Sequence, residues 1–168
     1  MIALQITSMK QFMNQLLSTD IFDIFLLQEA TITGAYTHII DGTQHLEFYG
    51  DDDPASYPTG TYPFITWKSV RGQIFDLIKG KHTPLNFKIV LHLLPEHVPS
   101  ILAKGTTQVK EEQIKALVLT IRFDGGKTLL TTATSFHSFL MDKEPDKLWD
   151  ESLKTYLGKK EVGFEILS

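Results

Sequence analysis

The sequence predicts a single α+β domain over residues 1–168, a mostly antiparallel mixed sheet with about four helices packed on it. Short runs of alternating apolar and polar residues recur, and turn signals such as Asp41-Gly42 and Asp124-Gly125-Gly126-Lys127 join them. Apolar residues at helical spacing appear between these runs. The regular strand–helix–strand alternation of a parallel sheet is missing.

Ile2, Leu4 and Ile6 alternate with Ala3 and Gln5, so residues 2–6 read as a strand. Ser8 and Gln11 form a capping box for a helix whose apolar face is Met9, Phe12, Met13, Leu16 and Leu17. Residues 22–33, 36–40 and 44–49 are rich in β-branched and aromatic residues and predict a meander of three strands. Residues 50–63 hold Asp51-Asp52-Asp53-Pro54 and Gly60 and predict a surface loop. A second helix is expected over 64–79, buried through Trp67, Val70, Ile74, Leu77 and Ile78 and ended by a left-handed Gly80. Gly72 inside it implies close packing or a kink.

Residues 84–94 are the clearest strand: Phe87, Ile89, Leu91 and Leu93 point one way, Lys88, Val90 and His92 the other. A short helix bounded by prolines is expected over 96–104. Leu117, Leu119, Ile121 and Phe123 line one face of the next strand, and residues 128–137 return as its partner. A last helix over 145–157, stopped by Gly158, and a strand over 162–167 complete the order.

Composition narrows the classes of function. Hydrophobic residues make up 42% of the chain, enough for a core without staples. Cysteine is absent, which excludes disulfides, thiolate metal sites and cysteine nucleophiles. The opening Met1-Ile2-Ala3-Leu4-Gln5-Ile6 lacks the basic start of a signal peptide, and no apolar run has the length of a membrane span. A cytoplasmic protein is therefore expected. The formal charge of −4 disfavours broad nucleic-acid binding.

The stretch Leu77-Ile78-Lys79-Gly80-Lys81-His82-Thr83-Pro84-Leu85-Asn86-Phe87-Lys88-Ile89-Val90-Leu91-His92-Leu93 resembles a family of small, uncharacterised proteins from clostridial-type gut bacteria. So do Leu119-Thr120-Ile121-Arg122-Phe123, Thr131-Thr132-Ala133-Thr134-Ser135 and the opening residues 1–27. The resemblance implies a bacterial, cytoplasmic, single-domain protein and carries over no catalytic residue.

Motifs with a known chemistry fail on spacing. Gly125-Gly126-Lys127-Thr128 ends like a phosphate-binding loop, but Ile121 stands where that loop needs glycine. His92 and His97 lack the spacing of a zinc protease, and Pro95 breaks the helix such a site needs. The acidic run 51–53 lacks the spacing of a calcium loop, and no nucleophile elbow occurs.

Two candidate sites remain. Lys68, Arg71, Lys79, Lys81 and His82 lie within fifteen residues, the last three around the Gly80 corner, and suit a phosphate, a carboxylate or a nucleic-acid backbone, although helix-end compensation and ordinary solvated charge account for them better. On the sheet, Lys88, His92, Thr120 and Arg122, joined by Thr132 and Thr134, form a polar face, which an antiparallel sheet shows in any case. Tyr49, Tyr57 and Tyr62 flank the loop as stacking or packing groups.

The leading expectation is a non-catalytic ligand- or protein-binding domain without cofactor or metal, its ligand surface drawn from Arg71, Lys79, Lys81, His82, Lys88, His92 and Arg122. Its partner is a protein or a small anionic ligand, with no membrane. A second reading is an enzyme in which Arg71, Lys81 and Lys88 bind an anionic substrate and His92 or His137 moves a proton. A third is a nucleic-acid-associated factor.

Overall fold

A computed structural model describes residues 1–167. Its elements are β1 (Ala3–Ile6), α1 (Met9–Ser18), β2 (Phe25–Thr33), β3 (Thr37–Asp41), β4 (Ile65–Thr66), α2 (Trp67–Ile78), β5 (Asn86–Leu93), α3 (Val98–Leu102), β6 (Ile114–Asp124), β7 (Lys127–Phe136), α4 (Glu144–Lys159) and β8 (Phe164–Ile166). The fold class is α+β, as the sequence predicts. The strands form one sheet in the order β3-β2-β5-β6-β7-β1-β8, with β4 beside β2, and every pairing is antiparallel. No helix among the described residues is long and apolar enough to cross a membrane.

Residues opposite each other in an antiparallel ladder share a face. Ile32, Phe87 and Phe123 stand in one such row, Ala30, Ile89 and Ile121 in the next, and Leu27, Leu91 and Leu119 in a third. All nine are buried. They meet Phe12 and Leu16 of α1, Val70 and Ile74 of α2, and Trp149, Leu153 and Leu157 of α4 in one hydrophobic cluster. Each large side chain buried this way contributes about 1.5–3 kcal/mol before entropy is set against it. Both indoles keep a hydrogen-bond partner: Trp67 Nε1 donates to the Leu16 carbonyl at 3.2 Å and Trp149 Nε1 to the Val118 carbonyl at 3.0 Å.

Several elements depart from the sequence expectation. Residues 44–49 are no strand: after a bridge between Thr43 and Phe64, Leu46–Tyr49 closes a 3-10 turn. The second helix begins only at Trp67, because Ile65–Thr66 pairs with β2 first. Lys79, in extended conformation, ends that helix, and Gly80 is not left-handed. The last helix runs through Gly158 to Lys159, and the left-handed residue that follows it is Glu161, at φ 60°.

Thr132 and Thr134 do not join the polar face. The turn at Gly125 and Gly126, both with positive φ, sets Thr132 opposite Leu119 and Thr134 opposite Leu117, on the core side. Thr131, opposite Thr120, is the threonine on the outer face.

Two glycines differ in what they do. A Cβ on Gly42 would lie 1.8 Å from the Leu27 carbonyl oxygen, so the chain crosses β2 there only without a side chain. Nothing lies within 4 Å of a Cβ on Gly72, so close packing does not require it. Gly72→Ala is therefore expected to raise unfolding stability by about 1 kcal/mol. Gly42→Ala is expected to lower it by about 1–3 kcal/mol through overpacking against backbone. Urea denaturation of the two variants checks both signs.

Candidate functional site

The outer face of the sheet is open over most of its width, but one end is roofed. The chain leaves the sheet edge at Gly42 and returns at Ile65, and the neck of this excursion is closed by hydrogen bonds. Ile65 N–H donates to the Gly42 carbonyl at 2.8 Å and Gln44 N–H to the Pro63 carbonyl at 3.0 Å. The Gln44 side chain donates to the Tyr62 carbonyl at 2.9 Å and accepts from the Thr59 hydroxyl. Tyr49 and Tyr57 stack on each other at 4.3 Å within the loop. Tyr62 fastens the strap to the far wall, its hydroxyl donating to the Glu96 carboxylate at 2.7–2.8 Å. That hydrogen bond, with burial, holds the Tyr62 phenol above its ordinary pKa.

Beneath the strap lies a cleft of about 450 Å³, within the usual range for small-ligand sites. Leu26, Leu93, Val98, Ile114 and Ala116 supply much of its apolar lining, Pro63 and Phe64 come from the strap, and Glu111, Lys115 and His137 stand along it. Gln28 also lines it, as does His92. His92 faces outward from β5, between Leu26 of β2 and Val118 of β6.

A bulge in β2 gives His92 its partner. The register between β2 and β5 shifts between Leu27 and Glu29, leaving Gln28 unpaired across the ladder. Gln28 Oε1 lies 3.1 Å from His92 Nε2. An amide oxygen only accepts, so this contact is a hydrogen bond in the tautomer that carries its proton on Nε2, which leaves Nδ1 as an acceptor. The Phe64 ring meets the imidazole edge to face at 5.0 Å. Burial lowers the His92 pKa, and the nearby Lys115 cation pushes it the same way. The cleft thus presents an uncharged, hydrogen-bonding imidazole in apolar surroundings.

The residues expected from the sequence do not assemble into one site. Of the seven, His92 alone lines this cleft, joined by His137. Arg71 is held by Asp23 through two hydrogen bonds of 3.0 Å on the helical side. Lys88 and Arg122 stand opposite each other on the open face, Lys88 3.8 Å from the Glu29 carboxylate. Lys79 lies over the Phe75 ring at 5.5 Å, and His82 lines a separate hollow with Tyr36 and His38. Lys81 is exposed at the Gly80 corner. The anion-binding trio of the enzyme reading, Arg71, Lys81 and Lys88, lines no part of the His92 cleft. Gln28, Phe64 and Lys115 were not singled out from sequence. A bulge and a folded-back strap leave no periodic trace.

A family model described as a family of unknown function (DUF5721) matches residues 15–165. The chain belongs to that family. No curated protein and no solved structure matches it. The family carries no assigned activity, so the cleft stands on its own chemistry.

The depressed His92 pKa has a consequence for stability. The unfolded chain, with an ordinary histidine value near 6.5, binds the proton more readily than the folded one. Between the folded value and 6.5, stability therefore rises with pH, and it falls on acidification through that window. His92→Gln is expected to flatten this slope relative to wild type, read from urea midpoints across the acidic side of neutrality.

Proposed function

We propose that this DUF5721 domain is a non-catalytic binding module of a bacterial cytoplasm, holding a small, largely apolar ligand in the His92 cleft. The supporting observation is the cleft itself: about 450 Å³ of mainly apolar lining around one neutral imidazole fixed by Gln28. Such a lining favours a hydrophobic body, and a lone pair on Nδ1 favours a ligand that donates a hydrogen bond. Glu111, Lys115 and His137 offer both signs of charge along the lining to orient a polar end.

Ala116 is the residue to alter, because it is small, buried and part of the lining. Aromatic alcohols and amides, screened by NMR, are expected to move the His92 and Phe64 resonances. Ala116→Leu is expected to weaken that binding by roughly tenfold, by filling space the ligand needs. Fragments that bind Ala116→Leu as well as wild type would remove the proposal, as would chemical turnover of a bound fragment.

A further inference from the structure

The Gly80 corner, which the His92 cleft does not use, borders a second concavity at the other end of β5. Trp67 at the start of α2 bonds to Leu16 near the end of α1, so the two helices run antiparallel. At their opposite ends, Met9 and Met13 of α1 and Ile78 of α2 meet the sheet at Phe87 and Phe123. Together with Lys10, Lys79, Gly80, Thr83 and Pro84 these residues line a groove of about 250 Å³.

Its chemistry is one-sided. The lining is apolar except at Thr83 and the two lysines, and no acidic side chain contributes to it. Lys10 and Lys79 are both exposed, and neither forms an ion pair among the described residues. Lys10 and Lys79 are the charged side chains in this lining, so the groove carries positive charge alone in a chain of net charge −4. Phe87 and Phe123, stacked at 5.3 Å, form a rigid part of the lining, while the two methionines are flexible and adapt to shape.

We propose that this groove binds a small amphipathic carboxylate of the arylalkanoic type. Its apolar body lies against Met9, Met13 and the Phe87–Phe123 pair. Its carboxylate stays at the solvent edge between Lys10 and Lys79, where it keeps part of its hydration. Phosphate alone lacks the apolar body, and a neutral alcohol lacks the charge.

Methionine-methyl NMR on the whole chain tests this, because the four methionines divide into two in the groove, Met9 and Met13, and two elsewhere, Met1 and Met141. Titration with phenylpropionate is expected to shift the Met9 and Met13 methyls to saturation and leave Met1 and Met141 in place. Phenylpropanol and inorganic phosphate, at matched ionic strength, are expected to leave all four methyls in place. The double variant K10Q/K79Q, altered only at exposed positions, is expected to bind phenylpropionate roughly fivefold more weakly. Ala116→Leu, which blocks the other cleft, is expected to leave the shifts unchanged. The proposal is overturned by groove methyls that phenylpropionate does not move, or by equal movement of all four methionines. It is equally overturned by alcohol or phosphate binding as tight as the acid's, or by undiminished binding to K10Q/K79Q.

Discussion

Antiparallel pairing of β2, β5, β6 and β7 ties each residue of these strands to a face, and the helices cover only one of the two. This constraint decides everything that follows. Rows such as Ile32–Phe87–Phe123 must be apolar because α1, α2 and α4 close over them. Rows such as Thr31–Lys88–Arg122 stay in water. A one-residue slip in any pairing would exchange the two sets, so burial itself enforces the register.

The exposed face becomes a site only where the register is locally broken and the chain folds back. The β2 bulge releases Gln28 to meet His92, and the excursion from Gly42 to Ile65 lays Phe64 against the same imidazole. Its hydrogen-bonded neck makes the strap part of the fold. Burial under that strap, rather than any charged partner, is the main reason His92 stays neutral. The groove beneath Gly80 has the opposite character, with its two lysines exposed and unneutralised at an apolar surface.

Much of the fold was readable because burial leaves a period in the sequence. The alternation of Phe87, Ile89, Leu91 and Leu93 and the helical spacing of Phe12, Leu16, Val70 and Ile74 report directly which side of each element meets the core. Errors arose where that period was weak. Thr132 reads as polar, yet it is buried opposite Leu119, its hydroxyl donating to the Asp150 carboxylate. Gly80 reads as a helix cap, but the closing bond from Lys79 N–H to the Phe75 carbonyl leaves Lys79 extended and asks nothing of the glycine. Of the candidate site, His92 was visible as an outward histidine on a strong strand, while its surroundings were not.

The sequence by itself determined the α+β class, the positions of the main strands and helices, and the outward placement of Lys88, His92 and Arg122. These follow from local spacing of apolar side chains, which each element displays alone. Tertiary structure decided which of those outward groups share a cavity. Gln28 and Phe64 reach His92 from β2 and the strap, Ala116 of β6 lines the same cleft, and Lys10 of α1 and Lys79 at the end of α2 share one groove. Contacts between residues so far apart in the chain depend on register, bulge and loop path, and those are settled only when the whole sheet closes.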